Sequence, residues 1–321
     1  MLCDRSRLNY ALILIATMRT PFLATILSAV AVLPLPAAET VAYVISDNTT
    51  GMVLAATGQT KKLPVGSLTK VATAMVVYDW AEATKSDLGQ MATVPDSVAS
   101  LGSQPGVGFV PGDRCSVRDL LYAALLQSDN VAAETLADHV GRALDGTGRA
   151  GFLKQMNALA RTLVMDRTKF TNPHGLDSTE RSAPYSTAED LAKLAAYAMK
   201  NPGFRFVVSQ KERKITYISA TGEESQYLLR NTNELVGVNS IDGVKTGQTR
   251  KAGGCVIISS AKPPISVQNG EQVVVTPRRL NVVVLGSNDR FGAASGLLQR
   301  GWQIYDQWAA AGRPAKWKAP R

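Results

Sequence analysis

Histidine and cysteine are scarce in this chain, and each scarcity removes a class of chemistry. The two histidines, His139 and His174, are too few and too scattered for a zinc site or a Ser-His-Asp triad. His139 falls in a helical pattern and reads as a surface or packing residue. HExxH, GxSxG and CxxC are all missing. Of three cysteines, Cys3 lies in an apolar leader, and no spacing places Cys115 beside Cys255, so a disulfide between them stays open. The net charge of +9 is spread along the chain without a basic run interleaved with aromatics, which argues against a nucleic-acid binder. It suits solubility and allows peripheral contact with anionic membrane or cell wall. Beyond the leader, no run approaches the roughly 20 apolar residues of a membrane span, and no internal repeat is visible.

What is present begins with an export signal. Met18-Arg19-Thr20 precedes an apolar stretch from Pro21 to Leu35 that ends in Pro36-Ala37-Ala38, the pattern of a secretory leader cleaved near Ala38. A second apolar run, Ala11 to Ala16, leaves a start at Met18 or a retained anchor as alternatives. Residues 1–38 are therefore expected to be leader, 39–311 a folded domain with a helical lobe at about 92–200, and 312–321 a basic tail without structure. With 45% apolar residues in 321, the chain can bury a substantial core.

Patterning within the folded part predicts an opening hairpin, Val41–Ile45 and Met52–Ala56 about a turn at Thr49-Thr50-Gly51. A helix follows from Leu68 to Trp80, then loop or short strand from Ala92 to Asp113. Ser116 reads as the cap of Leu120–Leu126. Helices are expected over Val131–Val140 and Phe152–Val164, and Thr187 caps another over Ala188–Met199, stopped by Asn201-Pro202-Gly203. Strands follow at Ile215–Ser219, Val244–Gly247, Cys255–Ser260 and Val282–Leu285, and a last helix at Ala293–Ala310. Strands at both ends with helices between suggest one mixed sheet, a helical lobe and a cleft between them.

Three motifs carry chemistry: Ser67-Leu68-Thr69-Lys70, Ser128-Asp129-Asn130 and Lys245-Thr246-Gly247. They supply an alcohol nucleophile, an amine to deprotonate it, a second hydroxyl–amide pair, and a cation beside a glycine on a strand edge. Those are the parts of an acyl-transfer site that needs no histidine, metal or cofactor. Each motif alone is weak, because Ser259-Ser260-Ala261-Lys262 also reads SxxK and Ser46-Asp47-Asn48 also reads SDN. The decoys lie in strand-like and turn-like surroundings, whereas Ser67 opens a helix and so stands one turn from Lys70 on the same face.

These motifs resemble those of the low-molecular-mass penicillin-binding proteins, the serine-type D-alanyl-D-alanine carboxypeptidases. The likeness extends to Pro64-Val65-Gly66, Asn172-Pro173-His174-Gly175-Leu176, Ser186-Thr187-Ala188-Glu189-Asp190-Leu191 and Asp242-Gly243-Val244, and covers roughly Val41 to Trp308. It implies an α+β, β-lactamase-like fold: a five-stranded antiparallel sheet flanked by helices, with an all-helical lobe. It implies a peptidoglycan stem peptide ending in D-Ala-D-Ala as substrate, β-lactams as covalent inhibitors, and action in the periplasm or on the wall side of the membrane. Many relatives carry Gly where Asp129 stands, and many continue into a β-rich second domain and an amphipathic anchor, whereas this sequence stops soon after its last predicted helix.

On that reading Ser67 is the nucleophile and Lys70 its base, made neutral by burial and by the charge of Lys245. Ser128 relays a proton to the departing D-alanine, and Asn130 holds the substrate amide. Lys245 and Thr246 meet the terminal carboxylate, and Gly247 lets the peptide lie along the strand edge. The N–H groups of Ser67 and Gln248 form the oxyanion hole. Arg290 is a further carboxylate candidate, and the Asn172–Gly175 loop is expected to be structural. A β-lactamase would need a second base between the second and third motifs, where Glu180 lacks the expected context and Glu189 falls in a predicted first helical turn. An endopeptidase acting on cross-links stays open.

Overall fold

The computed structural model describes residues 40–102, 105–177, 183–269 and 272–317. The leader, the last four residues of the tail and Glu180 lie outside them. In chain order the elements are β1 (Thr40–Asp47), β2 (Val53–Thr57), α1 (Thr69–Thr84), β3 (Met91–Thr93), β4 (Arg114–Ser116), α2 (Val117–Tyr122), α3 (Asn130–Asp145) and α4 (Arg149–Thr162). They continue with α5 (Ala188–Ala198), α6 (Pro202–Val208), β5 (Glu212–Ile218), β6 (Glu224–Arg230), β7 (Ile241–Thr249), β8 (Gly253–Asn269), β9 (Gln272–Ser287) and α7 (Arg290–Ala310).

The main sheet is five-stranded and antiparallel throughout, in the order β2-β1-β9-β8-β7. Its strands are buried on both faces, and period-2 alternation divides them between two cores. Ala42, Val44, Ile257, Val283 and Leu285 join the core beneath α1 and α5. Ile45, Val256, Ile258, Val282 and Val284 join a second core beneath α7, built on Leu298, Trp302, Tyr305 and Trp308. The lobe of α2, α3 and α4 packs through α1, which is buried along nearly its whole length.

Several expectations need correcting. The strand at Ile215–Ser219 is not in the main sheet: as β5 it belongs to a second, four-stranded sheet, β3-β4-β5-β6, whose half-exposed β6 carried too little apolar signal to be read. Asn201-Pro202-Gly203 does end α5 but also starts α6, because the Asn201 side chain accepts from Phe204 N and Pro202 takes the first helical position, where no N–H is needed. β8 and β9 run well past Ser260 and back as an arm, with Val267, Val273, Val274 and Val275 exposed. The start of the tail is packed rather than free: Pro314 O accepts from Trp308 Nε1 at 3.1 Å, and Trp317 lies against the core beneath α7. Cys115, on β4, and Cys255, on β8, are both buried free thiols.

The caps at Ser116 and Thr187 form as read, each side chain accepting the N–H three residues on. No helix among the described residues is long and apolar enough to cross a membrane.

Candidate active site

Ser67 is delivered by its glycine. Gly66 takes φ +54°, open to glycine at little cost, and a Cβ there would stand 3.2 Å from the Gln248 amide nitrogen of β7. The 3₁₀ turn Gly66–Leu68 then runs directly into α1, so Ser67 stands at the start of the helix and Lys70 one turn along it.

Lys70 is fully buried, and its Nζ donates to Ser67 Oγ at 3.0 Å, Asn130 Oδ1 at 2.6 Å and the His174 carbonyl at 2.8 Å. Burial lowers its pKa to about 7, with the nearby Asp129 carboxylate pulling the other way.

The second motif lies between two helices. A π-turn, Ala123–Gln127, ends at Ser128 with φ +65°, and Asp129 caps α3 by accepting from Ala132 N at 2.8 Å. Asn130 is thereby the first residue of α3, facing Lys70. The other oxygen of Asp129 accepts from Val107 N at 2.8 Å, and a Cβ on Gly106 would lie 2.1 Å from it. The Asp129 carboxylate thus fastens a neighbouring loop to the motif.

The third motif is on β7, an edge strand among the described residues. Lys245 is buried and donates to Thr246 O at 3.1 Å; burial first, then the charges of Lys70 and Arg290, hold its pKa well below the usual lysine value. Burial is the largest cause of the shift at both lysines. A Cβ on Gly247 would stand 2.7 Å from Val65 O and 3.2 Å from Leu68 N, so only glycine lets the strand approach the turn that holds Ser67. Arg290, at the start of α7, donates to Gly247 O at 3.3 Å and Gln248 Oε1 at 2.9 Å.

Two contributors escaped the sequence reading. Thr232 bonds Leu126 O through its N–H and hydroxyl, at 3.0 and 3.1 Å, and shares a hydrogen with Thr246 Oγ1 at 2.7 Å, tying the π-turn of the lobe to β7. The loop expected to be only structural places the His174 carbonyl on Lys70. It sits tightly on α1: Pro173 O accepts from Thr73 Oγ1 at 2.5 Å, and a Cβ on Gly175, at φ +84°, would lie 1.9 Å from Gly66 O. Neither a lone threonine nor a backbone carbonyl leaves a mark in sequence. Glu189 falls in the first turn of α5, as expected, its N–H bonded to Gln59 O.

Comparison with known proteins identifies the lineage. The family described as D-alanyl-D-alanine carboxypeptidase matches residues 30–274. The chain belongs to that family. It is 30% identical over 279 residues to D-alanyl-D-alanine carboxypeptidase DacC of Escherichia coli K12, covering 84% of this chain and 63% of that protein. It is 31% identical over 220 residues to a D-alanyl-D-alanine endopeptidase of Pseudomonas aeruginosa, covering 67% of this chain and 64% of the relative. The chain thus spans a little under two thirds of these relatives' lengths. Among solved structures, the Streptomyces K15 DD-transpeptidase superposes with a TM-score of 0.70 at 28% identity, over 84% of this chain and all of that one.

Proposed function

We propose that this chain is a serine-type D-alanyl-D-alanine carboxypeptidase that removes the terminal D-alanine of peptidoglycan stem peptides through an ester on Ser67. The observation that carries the reading is the bonding of Lys70. A neutral amine has two hydrogens and one lone pair. Asn130 Oδ1 and the His174 carbonyl can only accept, so they take the two hydrogens and leave the lone pair for the Ser67 hydroxyl. A pKa of about 7 leaves a large neutral fraction at physiological pH.

Ser67 Oγ attacks the carbonyl carbon of the penultimate D-alanine while its proton passes to Lys70. The charge that develops on the carbonyl oxygen is met by the N–H groups of Ser67 and Gln248, each such donor being worth about 3 kcal/mol in a transition state. The C–N bond then breaks, Ser128 relays the proton from Lys70 to the departing amine, and free D-alanine leaves. Water hydrolyses the ester and restores Ser67. Asn130 holds the substrate amide, and Gly247 lets the peptide lie along β7. Lys245, Thr246 and Arg290 meet the terminal carboxylate, which would hold the Lys245 ammonium in its charged form. A β-lactam acylates the same oxygen, but its leaving amine stays tethered, so the adduct persists. Residues 1–38 act as the export leader of a catalytic domain at 39–311, which works on the outer side of the cytoplasmic membrane.

The named endopeptidase among the relatives favours a second reading, cleavage of D-alanyl cross-links by the same machinery. Mass spectrometry after penicillin treatment should find a long-lived adduct on Ser67. Incubation with pentapeptide and cross-linked muropeptides side by side should release free D-alanine. Monomers without free D-alanine would establish the endopeptidase, and neither product, with no adduct, would refute both.

A further inference from the structure

A buried ionic cluster behind the site has no part in the chemistry above. Glu134, on α3, is almost wholly buried, and its Oε1 accepts from Arg149 Nε at 2.6 Å. Arg149 reaches it because α3 and α4 cross closely one heptad along: a Cβ on Gly141 would lie 1.8 Å from Gly148 O, so glycine there brings the start of α4 onto the face that carries Glu134. The other carboxylate oxygen, Oε2, is buried without a hydrogen-bond partner and lies 3.6 Å from His174 Nε2.

The His174 ring is held in one tautomer. Its Nδ1 accepts from Leu176 N at 3.1 Å, so the proton of the neutral ring sits on Nε2, facing Glu134. Burial and the charges of Lys70 and Arg149 keep the ring neutral, with a pKa of about 3. The same residue's carbonyl is the one that takes a hydrogen of Lys70. A cavity of about 260 Å³ lined by Ser97, Ser100, Leu101, Glu134, Arg149 and His174 lies beside the ring.

Building on the carboxypeptidase reading, we propose that Glu134 is a positioning residue for Lys70: as a carboxylate that bonds Arg149 and turns its second oxygen toward the His174 Nε2–H at 3.6 Å, it steadies the 172–176 loop where the His174 carbonyl meets the amine. The charged and titratable groups facing Glu134 are Arg149, His174 and Asp138; those facing Lys70 are Asp129, Lys245 and His174. A glutamine of the same shape cannot serve. Its single oxygen satisfies either Arg149 or the ring, and its NH₂ then opposes a second donor.

The test is the rate of Ser67 acylation by benzylpenicillin against pH, in wild type, Glu134→Gln, His174→Ala and the double variant, with ¹⁵N NMR of the His174 ring. Glu134→Gln should lower the plateau rate about tenfold and move its acid limb to lower pH, because an ammonium on Lys70 that loses the His174 carbonyl gives up its proton more readily. The ring should keep the Nε2–H tautomer in both proteins, since Leu176 N fixes it, while the Nε2 resonance should shift in the variant as the facing carboxylate is lost. In the His174→Ala background, Glu134→Gln should change the rate less than twofold, since residues acting through one another are non-additive. A Glu134→Gln plateau within twofold of wild type with an unmoved limb, losses that multiply in the double variant, or an unshifted Nε2 resonance would overturn the proposal. If wild type itself fails to react, the carboxypeptidase reading falls, and the NMR comparison decides the Glu134 contact alone.

Discussion

Two stretches of this chain spell the same motif and do unlike things. Ser67 and Lys70 stand one turn apart on a helix, 3.0 Å from oxygen to nitrogen. Ser259 and Lys262 share the spacing on β8, where residues three apart point to opposite faces of a sheet. Ser259 is buried and accepts from Arg279 Nη1 at 2.9 Å, as part of a fork by which Arg279 grips Asp242. Lys262 instead lies over the Trp302 ring at 4.5 Å and pairs with Asp306 at 3.8 Å. The second motif has its own double. Asp129 caps α3, whereas in Ser46-Asp47-Asn48 the aspartate closes a hairpin turn by accepting from Thr50 N at 2.7 Å. A three- or four-letter motif acquires its chemistry from the element that sets the direction of its side chains.

The comparison breaks most sharply at the serines. Ser67→Ala should cut D-alanine release and penicillin acylation by at least about 1,000-fold. Ser259→Ala should leave both within about twofold and lower stability by about 1 kcal/mol, through the hydrogen bond lost to Arg279. Comparable losses in the two variants would show that helical placement does not matter.

The lysines differ next, and through pH. Acylation should rise with pH through about 7 as Lys70 loses its proton. Folded Lys70 has a lower pKa than unfolded Lys70, so between about 7 and 10 the unfolded chain binds the extra proton and the wild type gains stability as pH rises. Lys70→Met should therefore be more stable than wild type near neutrality, with the gap closing by roughly 1.4 kcal/mol per pH unit across that window. Urea titrations of the pair at several pH values measure it. Lys262→Met, which loses a solvent-facing pair, should change stability by less than about 1 kcal/mol.

A smaller effect is expected at Asp129. Asp129→Gly should destabilise by about 1–2 kcal/mol through the lost cap and the released Val107 amide. It should also move the acid limb of acylation to lower pH, because that carboxylate is what raises the Lys70 pKa. The smallest effect belongs to Arg290, a partly exposed charge: Arg290→Ala should raise KM for a D-Ala-D-Ala peptide about fivefold with little change in kcat.

Much of this architecture was legible. The opening hairpin, the Ser67 helix, the caps at Ser116 and Thr187, and the succession of strands after residue 240 were readable because local patterning and tertiary burial agree there. Elements were lost where local signal is weak or two-sided. The exposed β6 lacks an apolar face, the arm of β8 and β9 continues beyond the core that made its strands recognisable, and Asn-Pro-Gly stops one helix in the act of starting another. Within the candidate site, Ser67, Lys70 and Asn130 were readable as motif residues and lie together, while Thr232 and the His174 carbonyl belong to no motif.

Composition and order along the chain were enough to name the reacting groups, because a nucleophile, a base and a carboxylate-binding cation are chemical types that only certain side chains supply. Which serine of two lies beside a deprotonatable amine is a matter of distance, and distances between residues 67, 130, 174 and 245 come only from packing. The same packing gives Lys70 the pKa that the proposed base needs: in water its amine would stay charged, and it is the removal of water around it, brought about by elements far apart in sequence, that lowers its pKa to about 7.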